Sequence, residues 1–231
     1  MGLHEASNRD YYNMMNGKIK KTVVAGTPKA VERLKKDGTT TYELIYNAID
    51  GELENVVFHK HADFGNSWVL HLKDGNNLFA VKISEKSRYA ADFLKKLPNL
   101  KRGVVYTFTP YYFENTGKQG LSIKTANGDK VQSYYSKAEV GKDGKTTYTA
   151  LHGFPTSEMF AKKMDWGITP FNKDQWKTYF DYVNLYFLKP LALEFIAKEF
   201  SGAAKQDEPK SMYSDKEPPD FDSDEDVPDF F

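Results

Sequence analysis

The chain has 231 residues, enough for one core with appendages, and no cysteine, which excludes disulfides and thiolate metal sites. Its formal charge is zero, but of the 32 basic and 32 acidic residues, two and ten fall in 207–231, so that segment carries −8 and residues 1–206 carry +8. The opening "GLHEASNRD" lacks the apolar core of a signal peptide and no stretch is long and apolar enough to span a bilayer, so a cytoplasmic protein without membrane contact is expected.

Residues 1–27 are polar and dotted with lysine and read as a flexible basic arm, with Lys18, Lys20 and Lys21 as its cations. "TPKAVERLKKDG" predicts a short helix, capped by Thr27, begun at Pro28 and ended by Gly38. "TTTYELIYNAIDG" then reads as a strand stopping at Asp50-Gly51, and "LENVVFHKHADFGN" continues the strand-and-turn rhythm. In "SWVLHLKDGNN", Trp68, Leu70 and Leu72 alternate with Val69, His71 and Lys73, and "DGNN" predicts a hairpin. "LFAVKIS" answers with Phe79, Val81 and Ile83 on one face and Lys82 on the other.

"SEKSRYAADFLKKLPN" is helical: Tyr89, Phe93, Leu94 and Leu97 form the apolar stripe, Ser84 or Ser87 caps it and Pro98 closes it. Strands resume in "GVVYTFTPYYFEN", turn at "NTGKQG" and return as "LSIKTANG". A further hairpin, "VQSYYSKAEVGKDGKTTYTAL", turns at Lys142-Asp143-Gly144. Three strands, a helix and two more strands is the order of an OB-fold barrel. The expected fold is therefore mainly β with helices: an OB-like nucleic-acid-binding barrel over 28–171, its helix between the third and fourth strands.

From Asn172 the period becomes helical through Trp176, Phe180, Val183, Phe187, Leu191 and Phe195, interrupted by Pro190. Residues 172–202 thus read as two helical stretches, kinked or broken at the proline and packed on the barrel. The segment 203–231 is polar, acidic and proline-dotted, and is expected to be disordered.

No nucleotide-binding glycine loop and no nucleophile elbow occurs, so an enzyme is not expected, and neither is a cofactor. "HKHAD" puts His59, His61 and Asp63 on one strand face near His71; the set reads either as metal ligands or as a solvated surface. A second constellation interleaves cations with rings, as single-stranded nucleic acid requires for phosphates and unstacked bases. Tyr111, Tyr112 and Phe113 lead to Lys118 across a turn, Lys101 and Arg102 precede the same strand, and Lys73, Lys82 and Lys124 lie on polar faces. Tyr134 and Tyr135 join them, and Trp68 reads either as core or as a stacking ring.

The chain finishes on "DFDSDEDVPDFF". Asp222, Asp224, Glu225, Asp226, Val227, Pro228, Asp229, Phe230 and Phe231 resemble the C-terminal tip of bacterial single-stranded DNA-binding proteins, an acidic run followed by an aliphatic residue, proline and terminal phenylalanine. Acidic tails ending in an aromatic also occur in such proteins of tailed phages. Asp229 between the proline and the rings, and a second phenylalanine, depart from the bacterial pattern. The resemblance implies a phage-type or divergent protein that covers single-stranded DNA without sequence preference. It also implies that the tip recruits replication, recombination or repair proteins. Lys18, Lys20 and Lys21 either resemble the basic arm by which some phage members associate along the strand or are three solvated lysines before a strand, and a homo-oligomer stays open. An RNA-binding or chaperone module with the same barrel, or a protein–protein adaptor, are the alternative readings.

Overall fold

The computed structural model describes residues 9–35, 37–63, 65–141, 144–167 and 171–200. Nine strands form one sheet: β1 (Arg9–Met15), β2 (Lys18–Val23), β3 (Val31–Leu34), β4 (Thr40–Tyr46), β5 (Ile49–His59), β6 (Ser67–Asp74), β7 (Asn77–Ser84), β8 (Val105–Phe113) and β9 (Lys118–Thr125). Their order across the sheet is β3-β4-β2-β1-β7-β6-β5-β8-β9. All neighbours are antiparallel except β1 and β7, which run parallel. A separate ribbon pairs β10 (Ser136–Val140) with β11 (Thr146–Ala150). The helices are α1 (Arg88–Lys96), α2 (Ser157–Lys163), α3 (Lys173–Tyr182) and α4 (Lys189–Glu199), with a π-helical segment, Val183–Leu188, joining the last two.

The amino-terminal arm departs from expectation. Its residues 9–23 are not an appendage but a hairpin inside the sheet, with Met14 and Ile19 in the core. Asn16 and Gly17 both have positive φ (49° and 68°), the backbone a tight two-residue hairpin turn demands. The tip is pinned: the Gly17 N–H donates to the Tyr89 hydroxyl at 2.7 Å, and a Cβ at Gly17 would sit 2.7 Å from the Tyr112 nitrogen. Nor are the three lysines a free basic patch. Lys18 donates to Asn47, Lys20 pairs with Glu43 and Lys21 pairs with Asp10.

The helix expected at 28–37 is also absent. Lys29 takes φ 65°, and Val31–Leu34 pairs with β4 as an edge strand instead. A segment this short cannot hold a helix without tertiary support, whereas the threonines of β4 offer a ready ladder. Asp50-Gly51 does not end a strand either. Gly51 is buried within β5, its missing Cβ leaving room for Leu72, 3.1 Å from where that atom would be.

The sheet does not close into a barrel through a hydrogen-bonded ladder. Its β9 edge is sealed by α1: the Leu121 N–H donates to Asp92 at 3.0 Å, and Lys96 Nζ donates to the Leu121 carbonyl at 2.7 Å. Such capping removes an open strand edge. Helix α1 itself follows expectation, with Ser87 capping Ala90 and Tyr89, Phe93, Leu94 and Leu97 all buried.

In the C-terminal region Asn172 and Gln175 form a reciprocal capping box at the start of α3. Pro190 does not interrupt the helical run from Lys173 to Glu199. A proline ring collides with the carbonyl four residues back and supplies no N–H. Here the turn before it is widened, and the Lys189 N–H reaches the Asn184 carbonyl five residues earlier. The buried face accordingly runs Tyr179, Val183, Leu188, Ala192, and exposed Leu191 falls off the expected stripe. Lys189 binds this helix back to the sheet region through Glu85 at 2.5 Å and lies 4.2 Å from the Phe58 ring.

Candidate nucleic-acid interface

Strand alternation decides which of the β8–β9 residues gather. Tyr111 and Phe113 share one face of β8, ring centroids 5.5 Å apart, and across the ladder they oppose Gly120 and Lys118. Lys124 lies further along that face of β9 and is exposed. Tyr112 points to the other face, beside the Gly17 turn. Gly120 is required by close approach: a Cβ there would run into the Tyr111 hydroxyl and Asp92 Oδ2. Tyr111 thus crosses its neighbour strand to reach Asp92. Burial first, then the Asp92 charge and hydrogen bond, raise the Tyr111 pKa, so its hydroxyl stays a neutral donor.

Between this strand face, α1 and α3 lies a cleft of about 220 Å³, lined by Arg88, Lys95, Tyr111, Lys118, Phe180 and Asn184 among others. The Arg88 guanidinium carbon is 3.5 Å from the Phe180 centroid, and Phe180 stacks on Trp176 at 5.5 Å and 22°. A cation over the face of a ring is attracted by its quadrupole. Desolvation lowers the pKa of Arg88, against the pull of Asp92 and Asp181, but a guanidinium remains charged at any physiological pH. Lys95 is pushed down chiefly by burial, and its Nζ lies 5.6 Å from the Phe154 ring. The cleft therefore combines cations held out of bulk water with flat aromatic faces.

The structure brings together Tyr111, Phe113 and Lys118 of the expected residues and sets others apart. Trp68 is fully buried against Phe58 (4.7 Å), so the core reading of its alternation holds and it offers no stacking face. Tyr135 is likewise core, edge-on to Phe187. Tyr134 already has a partner, stacking on His152 at 4.0 Å and 8°. Lys101 and Arg102 are exposed in the loop before β8. Lys73 and Lys82 lie beside Val69 and His71 on β6 and β7 and do not line the cleft; burial lowers the pKa of Lys82. The residues 222–231 lie outside the described residues.

Arg88, Lys95, Phe180 and Asn184 were not singled out from sequence as ligand contacts. Arg88 and Lys95 are seven apart on α1, opposite its apolar stripe, which is the one local signal that could have marked them. Phe180 was legible only as packing.

A second cleft, also about 220 Å³, is lined by Tyr12, Ile19, Tyr46, Asp50, Asp74 and Phe79. Its rings meet edge-to-face, Tyr12 with Tyr46 at 5.9 Å and with Phe79 at 5.8 Å. The carboxylates give it the wrong sign for phosphate. Among the described residues no three His, Asp or Glu side chains are grouped to hold a metal, and no helix is long and apolar enough to cross a membrane. Comparison with protein-family models, curated proteins and solved structures returns no match.

Proposed function

We propose that the chain is a sequence-tolerant single-stranded DNA-binding protein that covers exposed strands, with its acidic, phenylalanine-ended tip recruiting replication, recombination or repair proteins. The observation that carries the reading is the cleft in which Arg88, Lys95 and Lys118 surround the rings of Tyr111 and Phe180. Cations meet the phosphates, and the Tyr111 ring accepts an unstacked base without regard to its identity. Phe113, 55% exposed opposite Lys118, extends the platform beyond the cleft.

Strand connectivity supports an OB-type origin. β5, β6 and β7 follow one another, α1 intervenes, β8 and β9 return, and β5 pairs with both β6 and β8. The β1–β2 hairpin and the strands β3 and β4 are then additions to a five-strand module.

Fluorescence anisotropy with single-stranded DNA, duplex DNA and single-stranded RNA of equal length tests the proposal. Single-stranded DNA should bind most tightly, and log affinity should fall with log salt by about 0.7 per phosphate contacted. Tyr111→Ala and Phe113→Ala should each weaken it by about 1–3 kcal/mol. Equal affinity for duplex, or no salt dependence, would sink the reading; preference for RNA would move it to the alternative module.

A further inference from the structure

We infer that Asn184 contacts the edge of a base lodged in the basic cleft; the inference rests on the reading of that cleft as a single-strand site. Asn184 is 9% exposed and lines the cleft, yet among the described residues its carboxamide has no hydrogen-bond partner. Among the described residues the side chains sealed from solvent without a partner are Trp68 Nε1 and Thr125 Oγ1, so the Asn184 carboxamide keeps some contact with solvent. An amide so nearly enclosed, left to water rather than to a protein group, calls for an explanation.

The backbone supplies one. Asn184 sits in the π-helical segment, and its carbonyl takes the five-residue bond from Lys189 that Pro190 makes necessary. Single π turns inside helices recur at functional sites. Here the extra residue keeps Val183 and Leu188 in the core on either side while Asn184 remains beside Phe180 and Arg88 at the cleft. A base lodged in the cleft would present its edge to the amide.

A carboxamide offers one acceptor and one donor group, and by turning over it complements any base edge. Asn184 would therefore add affinity without sequence preference. A carboxylate at the same place only accepts, and favours the cytosine amino group over thymine, whose O4 it would face.

Anisotropy on fifteen-nucleotide dT and dC homopolymers provides the test. The wild type should bind both within about threefold. Asn184→Leu should weaken both by about 5–10-fold, and Asn184→Asp should shift the ratio toward dC by about tenfold. An Asp variant that weakens both polymers equally, or a Leu variant that changes neither, overturns the inference. Should both variants unfold in thermal melts, the wild type decides against an oligomer of difluorotoluene, a thymine isostere without edge donors or acceptors. About fivefold weaker binding than dT supports the contact, and equal binding overturns it. A wild type that binds no homopolymer overturns the single-strand reading itself, a different result from indifference to Asn184.

Discussion

The two clefts have the same volume, about 220 Å³, and both are walled by aromatic rings, yet they are opposite in charge. In the acidic one, Tyr12 meets Tyr46 and Phe79 edge-to-face, so the rings satisfy one another as core rings do. Burial, and then Asp10, push the Tyr12 pKa to about 12, which keeps its phenol neutral. In the basic one, the Arg88 guanidinium lies over the Phe180 ring, which stacks near-parallel on Trp176. Ring content and size alone would not separate the two clefts. Charge sign and ring orientation do.

Tyr12 and Ile19 of the β1–β2 hairpin wall the acidic cleft, and Gly17→Ala at the hairpin tip is expected to have the largest effect on the molecule. It demands φ 68° of a residue with a side chain and sets its Cβ against the Tyr112 backbone. The fold should lose about 2–4 kcal/mol in urea unfolding, combining left-handed strain with overpacking. A loss below about 1 kcal/mol would show that the hairpin tip relaxes freely. On the basic side, Arg88→Ala should weaken single-stranded DNA binding by about 10–100-fold, from one charge-assisted phosphate contact and a stacking layer. Asp50→Asn with Asp74→Asn in the acidic cleft should leave DNA affinity within about twofold. If the two sets of variants weaken binding alike, the division of labour between the clefts is wrong.

What the sequence disclosed and what it withheld divide along a physical line. The β6–β7 hairpin, α1 with its Ser87 cap and the β8–β9 hairpin were legible, because turn chemistry and periodicity act over a few residues. The hairpin at Asn16-Gly17 carried the same turn signal, but its polar, lysine-rich flanks hid strands whose outward faces are neutralised by Glu43 and Asp10. Val31–Leu34 had helical propensity that a ladder with β4 overrode. The cleft was half legible: Tyr111, Phe113 and Lys118 belong to one hairpin, whereas Arg88 and Phe180 meet across 92 positions of chain with no local mark of their contact. The π segment escaped because Pro190 advertises a break, and the alternative of one widened turn appears only when Val183 and Leu188 are both found in the core.

Lys95 sharpens the comparison with the smallest expected effect, because it sets stability against binding at one residue. Burial lowers its pKa, with Arg88 acting in the same direction and Asp92 opposing. The folded state therefore holds the proton less firmly than the unfolded chain. For a base with a depressed folded pKa the penalty is complete below that pKa, and it disappears as pH rises to the unfolded value of about 10.4. Lys95→Met keeps the unbranched stem against Phe154 and removes the charge. At pH 7 it should stabilise the fold by about 0.5–1 kcal/mol, and that gain should shrink toward zero as unfolding is followed from pH 8 to 10.5. Single-stranded DNA binding should weaken at the same time by several-fold, and less so in high salt. A destabilised variant would mean that the cation–ring contact outweighs desolvation. A stabilised variant that binds DNA as well as wild type would leave Lys95 buried for no electrostatic purpose, and the basic cleft would rest on Arg88 and Lys118 alone.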